Sequence, residues 1–133
     1  PNFKADPGLL AAFLANPAFA GPHAPRVAFE FRNTSWFAED IYAILRAHNA
    51  ALCIASSDSL ETPEVQCAST FACYRLRSSG GYTPAEIQAF ARKFLRLAEV
   101  RDLYIYFKHE DEPTGALNAV AFLQACAEEA ARA

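Results

Sequence analysis

Charged side chains collect near the ends of three apolar segments of this sequence. They are Glu30 and Arg32 in VAFEFRNTSW, Arg75 and Arg77 in TFACYRLR, and Lys108 and His109 in YIYFKHE. Arginine forks suit the oxygens of phosphate and carboxylate groups, and a carboxylate or an imidazole can move a proton. These residue types therefore fit a site that binds an anion and carries out acid–base chemistry on it.

The apolar segments that carry these residues are predicted to be β-strands. Strands are predicted over residues 26–32, 51–55, 70–77 and 102–108. Helical spacing or capping signals predict helices after Asp6-Pro7, over residues 37–49, after the capping box Thr83–Glu86, and from Ala116 onward. Short strands that alternate with helices indicate a parallel α/β sheet, whose active region lies at the carboxyl ends of the strands.

The alternation of side chains along each strand predicts where the charged groups point. Phe29 and Phe31 should face a helix layer, so Glu30 and Arg32 should face the opposite side. The same reasoning on the other strands places six residues on one face, and they are Glu30, Arg32, Arg75, Arg77, Tyr106 and Lys108. Two interpretations are open: a structural network in which Glu30 pairs with Arg32 or Arg75, and an anion pocket, because one carboxylate cannot neutralise four cations.

Two other candidates have a plain structural alternative. His109 to Glu112 could be metal ligands or a solvated acidic loop, and we favour the loop, keeping His109 as a candidate proton donor or acceptor. Trp36 could stack on a ligand or pack over a strand end. No metal site and no cofactor are expected, since the sequence has no H-E-x-x-H, Walker or G-x-S-x-G signature.

Composition narrows the functional classes. The 133 residues carry a formal net charge of −3, which argues against a broad nucleic-acid or membrane surface. The four cysteines form no C-x-x-C pair, so we expect structural thiols in a reducing, cytoplasmic compartment. The chain has no methionine and opens with PNFKADPG, from which we expect a fragment or a processed product.

Three stretches, VAFEFRNTSW, YRLRSSGGYTPAEI and YIYFKHEDEPTGALNA, together resemble domain-of-unknown-function family 72, the YecE-like TIM-barrel proteins. The residues that match the family's motifs are Glu30, Arg32, Ser35 and Trp36 in the first stretch, Arg75 and Arg77 in the second, and Lys108, His109, Glu110 and Asn118 in the third. Many members have His-Gly where this chain has Arg77-Ser78.

The resemblance implies a TIM barrel about twice as long as this chain. Residues 1–133 would then be a single (β/α)4 half-barrel domain, the C-terminal half of a longer chain. Four strands cannot close a barrel, so the first and last strands would be edges. A second copy could pair with these edges, the missing N-terminal half could supply them, or the half could stand alone.

The expected function is the binding of a phosphate-type anion at the strand ends, with action on a phosphoester once the barrel is complete. Arg32, Arg75, Arg77 and Lys108 would hold the anion, and Glu30 or His109 would move a proton. The ligand would be a phosphorylated small molecule or a short nucleic-acid segment, and no membrane is expected as a partner. The alternatives are a non-catalytic anion-binding or scaffold module and an inactive half-barrel.

Overall fold

The described parts of the chain contain four parallel strands and four α-helices, which alternate except that β2 is followed by β3. The structure, a computed structural model, describes residues 2–56, 60–99, 101–108 and 113–132. The elements in chain order are α1 (Pro7–Leu14), β1 (Ala28–Phe29), α2 (Glu39–Ala47), β2 (Ala51–Ala55), β3 (Phe71–Leu76), α3 (Pro84–Ala98), β4 (Asp102–Phe107) and α4 (Thr114–Arg132). Two short 3₁₀ turns cover Pro17–Phe19 and Thr34–Trp36.

The sheet has the order β1-β2-β3-β4, and every neighbouring pair is parallel. The strands are therefore neighbours in space in the order of the chain, as in one half of a parallel (β/α) barrel. β1 and β4 lie at the two edges, as the sequence predicts.

Side-chain caps fix the starts of α1 and α3. The carboxylate of Asp6 accepts a hydrogen bond of 2.9 Å from the backbone N–H of Leu9. Thr83 and Glu86 form a reciprocal capping box in which each side chain accepts from the other's backbone N–H, at 3.3 and 2.7 Å. Both caps confirm the sequence prediction, because they depend only on residues within one turn.

The main core lies between the sheet and the helices. Its first cluster joins α1 and α2 to β1 and β2, and it includes Leu10, Leu14, Phe31, Trp36, Ile41, Leu45 and Leu52. Its second cluster joins α3 and α4 to β3, and it includes Tyr74, Leu76, Ile87, Phe94 and Phe122. Phe31, Tyr74 and Leu76 thus face the helices, in agreement with the predicted alternation.

One predicted strand is longer than the observed one. The strand predicted over residues 26–32 is reduced to Ala28 and Phe29, because only these two residues are in register with β2. The connection from β2 to β3 has no helix over residues 60–69, in agreement with the predicted loop. Residues 109–112, which include His109, lie outside the described residues.

None of the helices over the described residues is long and apolar enough to cross a membrane.

Candidate functional site

The face of the sheet opposite the helices is concave. Arg26 precedes β1 and Asp102 begins β4, so they lie at opposite edges of the sheet, yet Arg26 Nη1 is 2.7 Å from Asp102 Oδ2. Four strands of a flat sheet would separate its edges by about 14 Å, which exceeds the reach of an arginine side chain. The sheet must therefore curve, and we call its concave face the hollow.

The hollow is lined by alternate residues of the strands. Its buried part consists of small or flat side chains from β2, β3 and the loop before β3, namely Ala51, Cys53, Ala68, Phe71 and Cys73. On β4, Tyr104 and Tyr106 are exposed, while the alternate residues Leu103, Ile105 and Phe107 are partly buried against the helices. Arg75 is the register partner of both Ala55 and Tyr106, so these three residues form one level of the hollow near the carboxyl ends of the strands.

At this level one carboxylate lies between two guanidinium groups. Arg75 Nη2 donates a hydrogen bond of 2.9 Å to Glu30 Oε1, and Arg75 Nε lies 2.7 Å from Glu30 Oε2. Arg32 Nε lies 2.9 Å from Glu30 Oε1. We call these three residues the Glu30 cluster. Both pairs that the network interpretation allowed are present at once.

The two arginines of the Glu30 cluster differ in burial. The Arg75 side chain is 14% exposed and that of Glu30 is 22% exposed, whereas the Arg32 side chain is 61% exposed. Arg75 Nε is buried. It lies within ion-pair distance of Glu30 Oε2, but it has no hydrogen-bond partner. Arg75 is therefore held by Glu30 inside the hollow, while the Arg32 side chain is mostly exposed to solvent. The cluster carries one net positive charge.

Arg77 and Lys108 lie at the same end of the sheet as the Glu30 cluster. Arg77 directly follows β3 and is half-buried. Its backbone N–H donates a long hydrogen bond of 3.4 Å to Ser56 Oγ. Lys108 directly follows β4 and is exposed, and its N–H donates to the carbonyl of Leu76 at 2.9 Å. The candidate cations thus follow three of the four strands, as the sequence predicts.

Trp36 packs in the core. Its indole is 5% exposed, stacks on Phe31 with ring centroids 4.5 Å apart, and donates from Nε1 to the carbonyl of Phe3 at 3.0 Å. These contacts match the packing interpretation of Trp36, although the residue also lines a cavity that Glu30 and Arg32 adjoin.

An apolar cavity of about 460 Å³ lies along the free edge of β1. Its lining comes from α1, from β1 and from the segments that flank them, and it consists of Phe3, Leu9, Leu10, Phe13, Phe29, Glu30, Phe31, Arg32 and Trp36. The cavity is therefore aromatic on one side and adjoins the Glu30 cluster on the other. No strand pairs with this edge of β1 within the described parts of the chain.

Sequence reasoning missed Arg26. Besides its ion pair with Asp102, Arg26 donates a hydrogen bond of 2.8 Å to the Tyr104 hydroxyl, and its guanidinium lies 5.5 Å from the centre of the Phe71 ring. The hydrogen bonds that Arg26 donates to Asp102 and Tyr104 raise the pKa of Arg26. Arg26 has the same parity as Ala28 and Glu30 along the strand, and this alternation could have predicted that it lies on the concave face. Arg26 is neutralised at the opposite end of the hollow from the Glu30 cluster.

No arrangement of three or more His, Cys, Asp or Glu side chains that could hold a metal is present among the described residues. The predicted proton-transfer residue His109 and its acidic neighbours up to Glu112 lie outside those residues, as does Asp58, which follows β2.

Comparison with known proteins decides the family. The family model described as "Protein of unknown function DUF72" matches residues 1–133. The chain belongs to the DUF72 family. No curated protein matches this DUF72 chain.

Solved DUF72 structures share the fold. A DUF72 family protein from Enterococcus faecalis superposes with a TM-score of 0.75 at 15% identity, over 95% of this chain and 55% of the other. A DUF72 family protein from Thermotoga maritima superposes with a TM-score of 0.72 at 20% identity, over 92% of this chain and 53% of the other. At such identities the likeness concerns the fold alone. This DUF72 chain spans about half the length of these relatives.

Proposed function

We propose that this DUF72 half-barrel binds a phosphate-type anion at the carboxyl ends of its strands. The observation that carries the proposal is the Glu30 cluster, in which one carboxylate contacts two guanidinium groups and leaves a net positive charge. Arginine forks match the geometry of phosphate oxygens. An anion that approaches this level would meet Arg32 first, because its side chain is the exposed one.

The neighbours of the cluster support the same proposal. Arg77 and Lys108 add two cationic residues at this end of the sheet, and Tyr106 adds a hydroxyl beside Arg75. Glu30 contributes by holding the Arg75 guanidinium in one orientation, which lowers the conformational entropy that a ligand would otherwise have to remove. The adjacent apolar cavity along β1 fits the non-polar part of an anionic ligand.

A thermal-shift panel tests the binding proposal. Inorganic phosphate, a sugar phosphate and a nucleotide are each compared with the uncharged sugar or nucleoside. A ligand that binds only the folded state raises Tm, and at 100 times Kd the stabilisation is about 2.7 kcal/mol. We expect the phosphates to raise Tm and their uncharged counterparts to leave it unchanged.

Matched arginine variants locate the site. Arg32→Ala should lose most of the phosphate-induced shift, because it removes an exposed guanidinium with little effect on folding. Arg46→Ala removes an arginine that pairs with Glu39 on the surface of α2, and it should keep the whole shift. The proposal fails if no phosphate stabilises the protein, or if both variants respond alike.

We further propose action on a phosphoester when the barrel is complete, with Glu30 or His109 moving the proton. Arg32 Nε and Arg75 Nη2 both contact Glu30 Oε1, so a ligand that draws Arg32 away would leave this oxygen with one arginine contact instead of two and make it a better proton acceptor. Hydrolysis of a chromogenic phosphoester, abolished by Glu30→Gln or by His109→Ala, would support this step. Phosphate binding without turnover would instead assign a non-catalytic binding module.

We propose a second copy of the chain as the partner that covers the two edges of the sheet. Exposed apolar side chains lie beside each edge: Phe3, Leu9 and Phe13 near β1, and Leu117, Val120 and Leu123 on α4. A twofold axis along the strands would place the β1 edge of one copy against the β4 edge of the other, giving eight strands. The length of the solved relatives, nearly twice that of this chain, supports a structure of that size.

We also propose a cytoplasmic location, which the four free cysteines support. Alkylation inside intact expressing cells should find all four in the thiol form.

A further inference from the structure

Two cysteines face each other across the central pair of strands. Cys53 of β2 and Cys73 of β3 are register partners in the parallel ladder, and their Sγ atoms lie 3.6 Å apart. Neighbouring strands are about 4.8 Å apart, which falls within the Cα separation that a disulfide spans. To form a bond of about 2.05 Å, the two sulfurs have to approach by roughly 1.5 Å.

The pair lies on the concave side of the sheet. Its buried neighbours there are Ala51, Ala68 and Phe71, of which two are small. The alternate residues Ile54, Ala72 and Tyr74 of the same two strands belong to the core cluster of α3 and α4. A rotation of either cysteine therefore takes place on the face opposite the helix layer.

Each of the other two cysteines belongs to a different part of the fold. Cys67 belongs to the core cluster of α1 and α2, and Cys126 lies on α4 against the cluster of α3. The pair also lacks a third ligand, because no group of three or more metal-binding side chains occurs in the described parts of the chain. Reaction between the two thiols is therefore favoured over capture of a metal ion.

The two thiols also differ in acidity. Each is within hydrogen-bond distance of the other, so the pair can share a proton. This hydrogen bond lowers the pKa of Cys73, while burial and the charge of Glu30 oppose that effect. The same hydrogen bond, together with burial, raises the pKa of Cys53. One member is thus suited to react first as a thiolate, and the other to follow as a thiol.

We propose that Cys53 and Cys73 are a redox-active dithiol, which a hydroperoxide converts into a disulfide that bonds β2 to β3. The Cys73 thiolate attacks the hydroxyl oxygen of the peroxide, the O–O bond breaks, and a sulfenic acid forms; the leaving hydroxide (or alkoxide) takes up the proton that the Cys73 thiol had released and departs as water (or alcohol). Cys53 then attacks the sulfenic sulfur, the S–S bond forms, and the hydroxyl leaves as water with the Cys53 proton. The two thiols lose two electrons and the peroxide gains two, and a dithiol reductant reverses the reaction.

This site is independent of the anion site in its chemistry, although it lies next to it. Cys73 is two residues before Arg75 on the same face of β3, so the disulfide would lie one level below the Glu30 cluster. Formation of the bond does not require a phosphate ligand, and its detection does not depend on phosphate binding.

Thiol counting and peptide mapping test the proposal on the wild-type chain. After treatment with hydrogen peroxide and removal of the excess, the four thiols should fall to two, and the intact mass should fall by two hydrogen atoms. Proteolysis without reductant should yield one peptide in which residues 53 and 73 are linked. Dithiothreitol should restore all four thiols. The cross-linked protein should also melt several degrees higher, since the bond closes a loop of about 20 residues.

Serine variants provide matched controls. Cys67→Ser and Cys126→Ser should still form the link, whereas Cys53→Ser and Cys73→Ser should retain three thiols or add oxygen to the remaining cysteine without forming it. Three results would overturn the proposal: four thiols that survive peroxide in the wild-type chain, a link that includes residue 67 or 126, or a link between two chains. Because the decisive readout is a mass on the wild-type protein, an unfolded variant does not affect it.

Discussion

At the scale of single residues, Glu30 joins two arginines of unequal burial. Arg75 lies inside the hollow and Arg32 lies at its mouth, and a single carboxylate contacts both. Removing the inner arginine takes away the contact that Glu30 makes inside the hollow and leaves a partly buried carboxylate with one exposed partner. The loss of a hydrogen bond to a charged, partly buried group costs more than the loss of a surface ion pair.

Arg75→Ala should therefore lower the free energy of unfolding by about 2 kcal/mol. Arg46→Ala, which removes the exposed partner of Glu39, should change it by about 0.5 kcal/mol or less. Denaturant titration monitored by circular dichroism measures both values. Equal losses in the two variants would show that the Glu30 contact in the hollow is no stronger than a surface pair.

Tyr74 is a second residue whose environment sets a measurable property. It is almost fully buried, its hydroxyl hydrogen-bonds to Glu64, and Gln66 Nε2 donates to that hydroxyl at 2.6 Å. Burial, followed by the hydrogen bond to Glu64, raises the pKa of Tyr74 above its ordinary value of 10.0. The folded state therefore keeps the phenol proton at a pH where the unfolded state releases it.

Tyr74→Phe should lower the free energy of unfolding by about 1 kcal/mol at pH 7, because it removes the hydrogen bond to Glu64. Above about pH 10 the unfolded wild type binds fewer protons than the folded wild type, so its stability falls with rising pH. The variant has no phenol at this position and does not lose stability in this way. The difference in the free energy of unfolding between the two proteins should therefore shrink between pH 9 and 11, around the ordinary pKa of tyrosine. Tyr106→Phe, on the exposed face of β4, is the control. A stability difference between the wild type and Tyr74→Phe that stays constant over this range would contradict the proposed role of the Tyr74 hydroxyl.

At the scale of elements, the turn between β3 and α3 depends on one glycine. Gly81 has φ of +74°, and its N–H donates to the carbonyl of Ser78 at 3.1 Å. A Cβ on Gly81 would lie 2.9 Å from Thr114 Cγ2, at the start of α4. The adjacent Gly80 has nothing within 4 Å of the same added atom. The two glycines therefore offer a matched pair of substitutions.

Gly81→Ala should lower the free energy of unfolding by about 1–2 kcal/mol, because alanine in a left-handed conformation is strained and its methyl group would displace Thr114. Gly80→Ala should be neutral or slightly stabilising, since it reduces the freedom of the unfolded chain. Thermal unfolding compares the two variants with the wild type. The opposite order would mean that the turn is not formed as described.

The capping box of α3 makes the stability of this helix depend on pH. The backbone and side-chain hydrogen bonds from Thr83 lower the pKa of Glu86 below its ordinary value of 4.5. A lowered pKa in the folded state contributes stability that is complete above the unfolded value and disappears as pH falls through the folded value.

Glu86→Gln should therefore be less stable than the wild type at pH 7, and the difference should decline as the pH falls below 4.5. Melting curves from pH 7 to pH 3 measure this difference. Glu99→Gln, at the other end of the same helix, is the control and should show no such decline, because a carboxylate near a helix C-terminus gains nothing from the macrodipole. A constant gap for Glu86→Gln across this range would argue against the capping contribution.

At the scale of the whole molecule, helices beside the two edges of the sheet carry exposed apolar side chains. Phe13 of α1 is 50% exposed and Leu123 of α4 is 67% exposed, and they lie beside opposite edges. Edge strands with unpaired backbone groups beside apolar patches favour association. This is the basis of the proposed pairing of two copies.

Size-exclusion chromatography with light scattering should give twice the chain's 14.6 kDa. Phe13→Glu and Leu123→Glu should each shift the protein toward the mass of one chain, because either substitution places a carboxylate in the new contact. Ala12→Glu and Gln124→Glu introduce the same charge on neighbouring exposed positions and should leave the assembly unchanged. A wild-type chain that remains monomeric at high concentration would exclude the pairing.

Much of the fold follows from local sequence. The buried run of β2, the caps at Asp6 and Thr83, and the alternation of Phe29 and Glu30 each depend on residues within one turn or one strand. The length of β1 could not be predicted from local sequence, because it depends on how many residues of this edge strand pair with β2. The short β1 therefore could be described only once the sheet was assembled.

The same distinction between local sequence and long-range packing applies to the candidate site. The sequence alone determined that cations of matching parity follow the strands, because side chains alternate with a period of two whatever the strands pair with. Only the tertiary structure decided that Glu30 contacts Arg32 and Arg75 together, that Trp36 packs on Phe31, and that Cys53 faces Cys73. These contacts depend on the register and the curvature of the sheet, which are set by packing between segments far apart in the chain.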